Sequence, residues 1–105
     1  MKVRQTDRLI VRPTFSQKES TVIMHPNDGY DLGLMTSVNE VVLYRGCAVG
    51  DFTSSRGTSI DGRVFLKNEC PVGTVELSLQ TTEKLGRPDG VRLYYLEGKL
   101  LIATI

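Results

Sequence analysis

The sequence predicts an all-β domain, a small β-barrel, and three observations carry that prediction. The first is composition. Of 105 residues, 26 are β-branched (11 Val, 5 Ile and 10 Thr), whereas only Ala48 and Ala103 are alanine and there is no Trp. β-Branched side chains are stiff at χ1 and fit a pleated surface, while Ala is the strongest helix former. The second is alternation. Residues 74–80 place Val75, Leu77 and Leu79 on one face, the period of a half-buried strand. The third is punctuation. Pro26-Asn27-Asp28-Gly29, Asp61-Gly62, Pro71-Val72-Gly73, Pro88-Asp89-Gly90 and Glu97-Gly98 read as turns at the short spacing of a barrel or sandwich.

The elements follow in order. Residues 8–12, Arg-Leu-Ile-Val-Arg closed by Pro13, predict a first strand with both faces covered. Residues 14–39 read as one long polar loop with two apolar islands, Val22-Ile23-Met24 and Leu32-Gly33-Leu34-Met35. Residues 40–44 and 62–67 predict further strands, separated by a Gly- and Ser-rich stretch over 46–62. Loops this long are usually functional or disordered. Residues 91–96 and 99–105 flank Glu97-Gly98 as a hairpin. No segment carries a 3.6-residue stripe, and residues 82–85 allow one helical turn at most. The length suits a single domain over 1–105.

Composition also excludes function classes. No apolar run approaches the roughly 20 residues that span a bilayer, and the charged start lacks the apolar region of a secretory signal, so a cytoplasmic protein is expected. Two cysteines, Cys47 and Cys70, are too few for a disulfide scaffold, and with one His and no Cys-x-x-Cys no metal site is expected. A net charge of +1 gives no basis for nucleic-acid binding.

Candidate chemistry is sparse. His25 is the single histidine, with Asp28 and Asp31 near it, in a context that reads as turn chemistry. Cys47 and Cys70 read as small buried hydrophobes. No catalytic residue is assigned. Gly29-Tyr30-Asp31-Leu32 resembles the first motif of the trimeric dUTPases, with Ser55-Arg56-Gly57 and Ser59-Ile60-Asp61 following in that family's order. That resemblance implies a nucleotide hydrolase as an alternative function. A viral structural or decoration protein is another.

A longer resemblance starts at the N-terminus. Met1-Lys2-Val3-Arg4 followed by residues 7–13, Asp-Arg-Leu-Ile-Val-Arg-Pro, resembles the opening of GroES-type co-chaperonins. Val22-Ile23-Met24 matches the aliphatic tripeptide of that family's mobile loop, Asn39-Glu40-Val41-Val42-Leu43 its next strand, 46–62 its roof hairpin, and Cys70-Pro71-Val72-Gly73-Thr74-Val75-Glu76-Leu77 a later strand. The sequence departs from the family at Ser20-Thr21, where two glycines are usual, and at Thr74, where Asp is usual. Such divergence at preserved length resembles a virus-encoded, bacteriophage member.

The resemblance implies a ring-shaped lid without activity of its own. It would bind a GroEL-type chaperonin through Val22, Ile23 and Met24 and enclose unfolded substrate protein. No cofactor is implied, because nucleotide is bound by the partner chaperonin. A homo-oligomer, a heptamer in that family, would close by pairing the first strand with the last of a neighbour, with Val3, Leu9, Leu100, Leu101, Ile102 and Ile105 at the subunit interface. The residues themselves also allow a plainer arrangement, in which 21–24 is an inward strand and 100–105 lies in the chain's own core.

Overall fold

The computed structural model describes residues 2–15 and 18–105. Its strands are β1 (Arg4–Gln5), β2 (Leu9–Thr14), β3 (Thr21–Met24), β4 (Val38–Arg45), β5 (Ser59–Leu66), β6 (Thr74–Ser78), β7 (Gly90–Leu96) and β8 (Lys99–Thr104). Three short helices intervene: α1 (Pro26–Asp31), α2 (Val49–Thr53) and α3 (Leu79–Lys84).

Seven strands close a barrel in the order β2, β6, β3, β5, β4, β8, β7 and back to β2. The all-β expectation therefore holds. β1 lies end to end with β2 along one edge of β7, Arg4 opposite Tyr95 and Leu9 opposite Val91. Between the two, residues 6–8 face only residues 92–93, one residue more than the partner supplies. Thr6 fills that irregularity: its hydroxyl accepts from Leu93 N at 3.1 Å and its own N–H reaches Leu93 O at 3.0 Å. The local kink keeps two-residue β1 on the sheet.

The barrel is built from two like units, β2-β3-α1-β4 and β5-β6-α3-β7, that interlock. β2 runs parallel to β6 of the other unit and β5 parallel to β3, while β3 and β6 meet antiparallel at the centre. The second and third elements even match in sequence. Thr21-Val22-Ile23-Met24, a capping residue, six helical residues, Leu32 and Gly33 correspond to Thr74-Val75-Glu76-Leu77, a capping residue, six helical residues, Leu85 and Gly86. Both glycines have φ near +80° (80° and 82°), where a side chain would be strained.

Alternation along the strands sorts the apolar residues into two cores. Leu9, Val22, Met24, Val41, Leu43, Val64, Val75, Leu77, Val91, Leu93, Leu100 and Ile102 point into the barrel, with Leu32 and Leu34 closing one end. Tyr44, Leu96 and Leu101 point outward and are covered by Phe52 of α2, whose ring meets Tyr44 edge-on at 5.5 Å.

Three expectations are corrected here. Residues 14–39 are not one loop, because Thr21-Val22-Ile23-Met24 alternates inward and outward as β3 and His25 starts a helix. Residues 46–62 hold α2 and the first half of β5 in place of a hairpin. The strand expected over 74–80 stops at Ser78, whose hydroxyl accepts from Thr81 N at 3.1 Å and caps α3. Met1 of the expected interface segment and Ser16-Gln17 of the expected loop lie outside the described residues.

Candidate functional site

The residues expected to contact a chaperonin separate by strand alternation. Val22 is 1% exposed and Met24 fully buried, both inside the barrel, whereas Ile23 faces outward and is half-buried. The tripeptide is thus split across a sheet and does not present three side chains together. The expected interface set is likewise corrected. Leu9, Leu100, Leu101 and Ile102 are buried within the chain itself, and Val3 rests against the outer core. β8 is bonded on both edges, to β4 and β7, so it has no free edge for a neighbour. Ile105 alone of that set is exposed.

The residues weighed for chemistry serve the fold. His25 is the N-cap of α1, its Nδ1 accepting from Asn27 N at 3.0 Å. Asp28 is buried and its Oδ2 accepts from Gly73 N at 2.9 Å, tying α1 to the turn before β6. Gly29 faces Leu66 so closely that a Cβ would come within 2.7 Å of it. Asp31 is exposed at the end of α1. Ser55 bonds Lys99 Nζ at 2.9 Å and Arg56 sits 3.7 Å from Asp51. No hydrogen bond or ion pair among the described residues joins 55–61 to 29–32. Burial, and then Asp51, push the Cys47 thiol up. Burial, with Glu76 and Asp28 adding to it, pushes Cys70 up to about 11, so neither is held as thiolate. Among the described residues no three His, Cys, Asp or Glu side chains are grouped to hold a metal.

One charged cluster is anchored on a buried arginine. Arg45, at the inward end of β4, is 7% exposed, and its Nη1 donates to Glu19 Oε1 at 2.8 Å. Lys84 of α3 pairs with the same oxygen. Thr81 Oγ1 donates to Glu19 O at 2.8 Å. The hydrogen bonds from Lys84 and Arg45 pull the Glu19 carboxyl down to about 2. This cluster fastens the segment before β3 across one end of the barrel. The sequence gives no sign of it, since its members are 26 and 65 residues from Glu19.

The open feature is on the outer face of β3, β5 and β4, where a groove of about 930 Å³ runs over the three strands. Cross-strand register builds its floor. Ile23 lies opposite Phe65 and Phe65 opposite Val38, so one apolar row crosses all three strands. Ile23 and Phe65 are half-buried and line the groove, and Val38, 47% exposed, continues the row beyond it. The next row is Thr21, Arg63 and Glu40, the last two paired at 3.6 Å. Beyond it Asp61 stands opposite Val42. Lys18 and Lys67 complete the rim, and Lys67 Nζ is 5.7 Å above the Phe65 ring. Gly62 lets the strands approach, since a Cβ there would lie 2.8 Å from Ser20 O. Of the tripeptide expected to contact a chaperonin, Ile23 joins this surface, and of the motif at 59–61, Asp61 does.

No protein-family model matches the chain, and no curated protein matches it.

Proposed function

We propose that the protein is a binding module that does no chemistry of its own and engages another protein through the groove over β3, β5 and β4. The apolar pair Ile23–Phe65 in the groove, continued across β4 by exposed Val38 and rimmed by charges, is the observation that carries this reading. Apolar side chains in a recessed, polar-edged surface gain from being covered by a partner. The N-terminal resemblance, over residues 1–13, nominates a chaperonin as that partner. Ile23 is then the contact that survives from the tripeptide, because freeing Val22 and Met24 would cost about 1.5–3 kcal/mol each.

Site-specific photo-crosslinking tests the reading. A benzophenone side chain is placed at Arg63 or Glu40 in the groove, or at Tyr30 on α1, in cells that make the protein. A discrete crosslinked protein from the groove positions alone is expected. A chaperonin subunit in that product supports the lid form of the reading. Equal crosslinking from Tyr30, or none from the groove, overturns it.

A further inference from the structure

We propose that the groove selects an apolar segment of its partner that carries acidic residues beside the apolar side chains. The inference rests on the binding reading above and names the chemistry of what binds. Arg63 already has its counter-charge in Glu40 at 3.6 Å. Lys18 and Lys67 are exposed rim cations with no ion pair among the described residues. Asp61 is the one rim carboxylate without such a pair, and it lies at the side of the groove away from the apolar row, opposite Val42. On the other side of the row Ile23 lies opposite Glu76, which is paired with Arg12 at 3.9 Å, so the charge left without a counter-ion beside the row is that of Lys67, which stands over its aromatic member. An apolar side chain seated on Ile23 and Phe65 excludes water from this corner and strengthens the attraction of Lys67 for a neighbouring carboxylate. A lysine in the same place meets a like charge. The half-buried Ile23 and Phe65, set within the charged rim, suit an inserted segment better than a flat bilayer, whose acyl chains would have to descend past the rim.

The test uses the full chain and two fluorescein-labelled peptides, each Leu-Phe-Leu flanked by three Glu or by three Lys, titrated by anisotropy. The Glu-flanked peptide is expected to bind about fivefold more tightly, the most an exposed ion pair commonly gives. Added salt narrows the gap, and Lys67→Glu, which retains the wild-type melting temperature, reverses it. Equal affinities, or a preference for the Lys-flanked peptide, overturn the charge rule while leaving the crosslinked groove as a binding face. Failure of both peptides to bind overturns it too, and then the crosslinks decide separately whether the groove binds anything. Sedimentation with phosphatidylserine vesicles, undiminished by the Glu-flanked peptide, also overturns it.

Discussion

Glu19 accepts hydrogen bonds at two groups: from Arg45 and Lys84 on its carboxylate, and from Thr81 and, at 3.5 Å, Ser78 on its carbonyl. Its carboxyl is ordinarily near 4.5 and sits at about 2 in the fold. The folded state thus binds its proton more weakly than the unfolded chain. The stability this provides is complete above the ordinary carboxylate range and is lost as pH falls from about 4.5 through about 2. Glu19→Gln should melt below wild type at pH 7, and the difference should close by pH 2 in parallel thermal scans. Arg45 loses most in that variant, because its buried guanidinium keeps its charge and loses its partner. Met24, fully buried, sets the other residue-scale expectation: Met24→Ala should lower stability by about 2–5 kcal/mol in urea titrations. Ile23→Ala, on the outer face, should cost well under half as much.

At the scale of elements, α1 and α3 are held by their caps. Six residues are too few for a helix to persist on propensity alone. Ser78→Ala removes the acceptor for Thr81 N, and about 1 kcal/mol of stability should go with it, read by chemical denaturation. His25→Leu should do the same at α1, and His25→Asn should restore it. These caps also explain what could be read in advance. β6 through Ser78 was legible because Val75 and Leu77 share one face, and the hairpin β7–β8 because Glu97-Gly98 lies between two apolar runs. β3 was less legible. Four residues, Thr21-Val22-Ile23-Met24, are as compatible with a loop island as with a strand until β5 and β6 are known to flank them. The helices gave no stripe because each makes fewer than two turns. The repeated Thr-Val pattern at 21–33 and 74–86 was present in the sequence throughout, hidden by unlike helical residues between matched ends. The groove was illegible in principle, since its floor is set by the pairing of Ile23, Phe65 and Val38 across strands 15–42 positions apart.

The whole molecule covers its own apolar ends. β1 lies on β7, and β8 fits between β7 and β4 with Leu100, Leu101 and Ile102 buried. Thermal unfolding should therefore be independent of protein concentration over a hundredfold range, because the barrel closes through pairings within the chain. A melting temperature that climbs with concentration would show that contacts between copies add to the stability of the fold. Ile102→Ser should unfold the chain outright, leaving no folded smaller species in native mass spectra.

The interlocking of the two units governs how the barrel is made. β2 leaves the ribosome well ahead of its partners on both sides, because β6 and the start of β7 follow it by more than sixty residues. β3 likewise waits for β5 and β6, and β4 for β8. No consecutive pair within 9–45 is bonded strand to strand, so the first half of the chain emerges with nothing to fold against. Distant pairings of this kind close slowly. A nascent chain stalled before Lys99 would expose Val41, Leu43 and Tyr44 along an open strand, which makes synthesis itself the stage at which this protein is most prone to aggregate.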